Sequence, residues 1–111
     1  MSFTDTIKKY VLHDCRMDSV GIAPASALAD EPKGHRPEDV MPGARSIIVF
    51  TRRIPDGAIQ AAFRSREDGN LDAHSSFAAY GSDLTPNMNV FFMQFNLAEY
   101  IERSFGYTAV P

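Results

Sequence analysis

The residues best suited to chemistry lie in a basic loop and in a Tyr/Asp pair ahead of an apolar run. Pro32-Lys33-Gly34-His35-Arg36-Pro37-Glu38-Asp39 groups Lys33, His35 and Arg36 around a flexible glycine, just before a candidate helix start. Such an arrangement can hold a phosphate or a carboxylate. The same composition also suits a solvated loop whose prolines only fix its course. Pro42-Gly43-Ala44-Arg45 adds a turn glycine and a further cation, Arg45, where an apolar run begins. Arg52 and Arg53 close that run, at the end of a strand where α/β sheets commonly receive ligands. Alternation along a strand lets only one of the two face a pocket, and a solvated surface suits both. Tyr80-Gly81-Ser82-Asp83 offers a phenol and a carboxylate for acid–base work, or an Asx-type turn that opens a helix.

Other chemistry is poorly supplied. His13, His35 and His74 are far apart, and none has a second ligand at metal-site spacing. Cys15 is the single cysteine, so the chain alone forms no internal disulfide and cannot ligate an iron–sulfur cluster. It falls on the inner flank of the first expected helix, where a thiol packs as a small hydrophobe. The cluster Met88, Phe91, Phe92, Met93 and Phe95 reads as core or interface. A formal charge of −3 and a pI near 5.5 give no general attraction to a nucleic-acid backbone, so DNA is not an expected partner. No apolar run approaches the roughly 20 residues that cross a bilayer, and the first residues lack a signal-peptide core. A cytoplasmic protein without membrane contact is expected.

These groups need elements to position them. Residues 3–16 place Phe3, Ile7, Tyr10, Val11 and Cys15 at helical spacing, with Ser2 and Asp5 as a capping pattern. Residues 19–23 (SVGIA) read as a short strand stopped by Pro24. Residues 24–44 hold four prolines and read as a long loop, with one helical turn from Pro37 to Met41. Ser46 to Ile54 opens on Ile-Ile-Val-Phe, the pattern of a strand covered on both faces. A short helix follows at 56–66, then a polar, turn-rich and mobile stretch at 67–76. From Thr85-Pro86 a long apolar helix runs to Phe105, with Val90, Met93, Leu97 and Ile101 on one stripe and Gly106 as its cap. Residues 107–110 read as a last strand. The expected fold is one α/β (or α+β) domain over 1–111: a small helix-packed sheet of about three strands, with a crossover from 46–54 through the long helix to 107–110. That last strand and the helix before it lack a covering layer, which a further stretch of chain or a second copy would supply.

Taken together, DSVGIAPAS, EPKGHRPEDVMPGARSIIVFTRRIPDGAI, AAYGSDLTPNMNVFFMQFNLAEYIE and GYTAVP resemble the N-terminal part of the epoxyqueuosine reductase-like iron–sulfur oxidoreductases. The similarity runs from about residue 7 to the end, and its most specific piece is KGHRPEDVMPGARSIIVF. The resemblance implies a fold related to the cobalamin-binding module of reductive dehalogenases and, more distantly, to nitroreductase-like flavoproteins. It also implies a following ferredoxin-type segment whose two 4Fe-4S clusters feed electrons to the corrinoid. That cysteine-rich segment lies outside these residues, and an aromatic-His pair of the family reads Leu84-Thr85 here. On this resemblance Tyr80 and Asp83 are the candidate catalytic residues, and Lys33, His35, Arg36, Arg45 and Arg52 the candidate cofactor contacts. The expected function is the N-terminal domain of such a reductase, inactive alone. The alternatives are a small homodimeric ligand-binding or interaction protein without catalysis, and a small flavin- or corrinoid-carrying protein.

Overall fold

A computed structural model describes residues 1–111, which divide into Met1–Thr51 with Val110 and Arg52–Ala109 with Pro111. In the first unit, Ser2 starts helix α1 (Phe3–Lys9): its Oγ accepts from the Asp5 N–H at 3.1 Å and donates to the Asp5 carboxylate at 2.7 Å. The helix widens into a π-helical turn, Tyr10–Asp14, which ends when Arg16 takes a left-handed conformation at φ 56°. Ile7, Val11, Cys15 and Met17 are buried and form this unit's core together with Ala44.

Strands β1 (Ser19–Pro24) and β2 (Ser46–Thr51) pair antiparallel, with Ser19 opposite Thr51, Ile22 opposite Ile48 and Pro24 opposite Ser46. A hydroxyl–hydroxyl bond between Ser19 and Thr51 closes one end. Between the strands lie a 3₁₀ turn, Ala25–Leu28, and the four-residue helix α2 (Pro37–Val40). Pro37 holds the first helical position of α2, as expected from its fixed φ.

The second unit is helical. Helix α3 (Asp56–Glu67) ends in a Schellman motif: Gly69 is left-handed at φ 72°, its N–H donates to Arg66 O, and the Asn70 N–H donates to Ser65 O. Asn70 then caps helix α4 (Leu71–Phe77), its Oδ1 accepting from the Ala73 N–H at 3.1 Å. His74 on α4 meets the Ala62 carbonyl on α3 through Nδ1 at 2.7 Å, and the buried Ser65 hydroxyl donates to Ala61 O and Ala62 O. A π-helical stretch, Ala78–Asp83, leads into the long helix α5 (Leu84–Phe105), which Gly106 closes at φ 73° with its N–H on Glu102 O.

The coarse expectation of mixed helix and sheet holds, in the α+β form. Several details differ. The sheet has two strands, both from the first 51 residues, where about three were expected. Residues 107–110 form no strand: the Ala109 N–H donates to the Glu102 carboxylate at 3.1 Å instead of to a ladder. The expected parallel crossover is therefore replaced by an antiparallel ribbon, which an intervening loop can close without a helix. Strand β2 is not covered on both faces, since Val49 is 57% exposed. Residues 71–76, read as part of a turn-rich and mobile stretch, belong to helix α4. The long helix begins at Leu84, with Pro86 inside its first turn, where a missing N–H costs no intrahelical bond.

Candidate functional site

The basic loop folds around its own carboxylate. Asp39 Oδ2 accepts from the Gly34 N–H at 2.7 Å and the Arg36 N–H at 3.2 Å, the second contact being the carboxylate half of a capping box. Gly34 makes this possible by adopting φ 93°. These backbone donors are thus taken internally and are not open to an external anion. Arg36 itself is anchored through Nε on Glu31 O at 2.8 Å, leaving its two terminal nitrogens for a ligand.

Arg36 faces the end of β1 across a cleft of about 500 Å³. One wall is Pro24, Ala25, Ser26 and Ala29, the other the start of α2, and Ala44 and Arg45 complete it. The two sides are tied by the Ala25 N–H donating to Arg45 O at 2.9 Å. The Arg45 side chain makes no hydrogen bond or ion pair within the chain. Two arginines with donors unused within the chain therefore line one cleft together with Ser26. Glu38 and the already engaged Asp39 temper the positive potential.

Of the expected cofactor contacts, the structure brings Arg36 and Arg45 together in this cleft. Lys33 and His35 belong to the same loop but do not line it; the His35 N–H turns back onto Pro32 O at 2.9 Å. Arg52 belongs to the second unit, where its Nη1 donates to Asn89 Oδ1 on α5 at 2.8 Å. Its neighbour Arg53 pairs with Asp56 at 2.8 Å on an exposed surface.

Tyr80 and Asp83 stand on the π-helical stretch of the second unit, not on a turn. Both are exposed, and no hydrogen bond joins them: Asp83 Oδ1 accepts from Asn87 Nδ2 at 3.1 Å, while the Tyr80 hydroxyl has no partner in the chain. Widened helices recur at functional sites because the extra residue breaks the regular ladder and re-aims side chains. The exposed phenol and carboxylate are accessible to a ligand, without an oriented partner that would mark an acid–base dyad.

Ser26 and the 3₁₀ turn it stands on were missed from sequence. The only signal was the short apolar-to-Pro transition at the end of β1, which says that a strand stops and not where the chain then goes. Asp39 was legible in part, through the Arg36-Pro37-Glu38-Asp39 spacing of an N-cap and its third helical residue.

Cys15 is buried, 3% exposed, and burial first and the Asp14 charge second push its thiol up, against a smaller opposing hydrogen bond from Tyr10. It is unsuited to act as a nucleophile. No three His, Cys, Asp or Glu side chains converge to hold a metal ion, and with one thiol the chain does not itself fit a 4Fe-4S cluster. No helix is long and apolar enough to cross a membrane. Comparison with family models, with curated proteins and with solved structures gives no match.

Proposed function

We propose that this chain is the N-terminal part of an iron–sulfur oxidoreductase similar to the epoxyqueuosine reductases. In this reading the loop at 33–45 holds an anionic part of a cofactor or substrate against Arg36 and Arg45. The observation that carries it is that Arg36 and Arg45, both with donors unused within the chain, line one cleft of about 500 Å³ built in part by the stretch on which the family resemblance is strongest. That volume suits a small ligand or one arm of a large one, so a corrinoid would bind through a polar substituent and not be enclosed. Arginine's planar fork suits two oxygens of a phosphate or carboxylate, and Ser26 can donate a third bond.

The clusters that would supply electrons need thiolates from another segment or chain, so the isolated chain is expected to be inactive. Tyr80 and Asp83 are the proton-handling candidates, on the strength of their exposure and the unengaged phenol. The setting of this reading is cytoplasmic.

The test is titration of the chain with hydroxocobalamin and, separately, with inorganic phosphate, read by visible absorbance and thermal unfolding. A corrinoid ligand is expected to raise the melting temperature and shift the absorbance, and Arg36→Ala with Arg45→Ala to weaken binding about tenfold or more. Stabilisation by phosphate alone would reduce the reading to an anion site. Absence of any shift with either ligand would remove its support.

A further inference from the structure

Helix α5 is apolar on two sides. At about 100° per residue, Val90, Met93, Leu97 and Ile101 share one side. That side is covered: Leu97 and Ile101 are buried, Val90 and Met93 half-buried. Leu84, Met88, Phe91, Phe92 and Phe95 project within an arc of about 100° on the other side. They remain 48, 43, 61, 59 and 55% exposed. A helix that is apolar around its circumference belongs in an interior, so the second side is built to be covered as well. Residues 84–98 contain no Asp, Glu, Lys or Arg.

Area and charge select the occupant. Taking roughly 200 Å² for a full large side chain, the exposed parts of the five residues come to on the order of 500 Å². Two such patches face to face remove on the order of 1,000 Å² from water, the lower bound for a specific protein–protein contact. An uncharged face meets its own copy without like-charge repulsion, and a two-fold axis lets each stripe cover the other. The surroundings do not favour an anionic lipid surface. Asp83, Glu99 and Glu102 flank the stripe, while Arg103 is paired with Glu99 and Arg52 is bound to Asn89.

We propose that α5 is the interface of a homodimer in which the stripes running from Leu84 to Phe95 in two copies pack on one another about a two-fold axis. This inference does not rest on the reductase reading or on the Arg36/Arg45 cleft. Either can fail without the other, because ligand titration reads one and oligomeric state the other.

The test is sedimentation velocity on the whole chain from about 1 to 100 μM, with circular dichroism on every variant. The unsubstituted chain is expected to show a reversible monomer–dimer equilibrium in this range. Phe91→Asp with Phe95→Asp is expected to weaken association at least about tenfold with the helical signal unchanged. Phe95→Gln, a milder change at an exposed site, should weaken it to a smaller degree, and decides the matter if the double variant loses helix. A chain that stays monomeric throughout overturns the proposal, as does a dimer indifferent to these changes. Flotation of a monomeric chain with anionic phospholipid vesicles, abolished by Phe91→Asp, would also overturn it by giving the face to lipid.

Discussion

Cys15 shows how one buried group ties packing to pH. Burial, helped by the Asp14 charge, raises the thiol's pKa in the folded chain, so the fold favours the protonated form. The unfolded chain then loses this proton at lower pH than the folded one. The stabilising contribution is complete below the unfolded thiol's pKa of about 8.5 and declines as pH rises from there through the folded value. Urea unfolding from pH 7 to 10 is expected to show a falling stability whose slope becomes shallower in Cys15→Ala. Alkylation of the folded chain by iodoacetamide at pH 8 should be at least about tenfold slower than after unfolding. Equal rates in the two states would mean that the thiol is not sequestered. The buried side of α1 was legible because Ile7, Val11 and Cys15 recur at helical spacing. The end of that helix was not. The left-handed position is filled by Arg16, with φ 56°, and no glycine marks it, whereas Gly106 at the end of α5 announced its own cap.

Between elements, close approach depends on a residue with no side chain. A Cβ placed on Gly81 would lie 3.0 Å from Ala58 Cβ, so the π-helical stretch and α3 meet at a spacing that a larger residue could keep only if Ala58 gave way by a few tenths of an ångström. Gly81→Val should cost about 1–3 kcal/mol in denaturant unfolding through overpacking, despite valine's better helix propensity. Ala58→Gly in the same chain should return part of that loss, and the double-mutant cycle measures how much belongs to the contact. Additive effects would exclude the contact as the cause. In the sequence, Gly81 looked like a turn residue beside Ser82 and Asp83, because glycines of turns and of helix crossings are the same letter. Composition misled in the same way at Asp68-Gly69-Asn70. Those residues end α3 and start α4 with no loop between, and Asn70 serves both helices. Polar caps and polar loops draw on one set of residue types. The cleft was legible to the same degree: Arg36 and Arg45 belong to a recognisable loop, but which wall they face depends on β1 pairing with β2, a non-local choice that periodicity does not encode.

Across the whole chain, nine apolar residues are buried while eighteen large ones stay exposed, and only Ile7 and Val11 among the larger side chains are fully covered. Cores this small offset little of the conformational entropy that folding removes, since units of this length bury a low fraction of their surface. Covering the α5 stripe with a second copy would therefore add a substantial share of the total stability. Self-association that favours only the folded chain raises its apparent stability by about 0.7 kcal/mol per chain for each tenfold rise in total concentration above the dissociation constant, because the free monomer then grows only as the square root of the total. The melting temperature of the unsubstituted chain is accordingly expected to climb steadily between about 5 and 500 μM, whereas the Phe91→Asp, Phe95→Asp chain should melt at one temperature across that range. Both should unfold alike at the dilute end, where the unsubstituted chain is monomeric too. A melting temperature independent of concentration in both chains would mean that the folded monomer tolerates its exposed aromatic stripe without help, and that the small cores of the two units are sufficient by themselves.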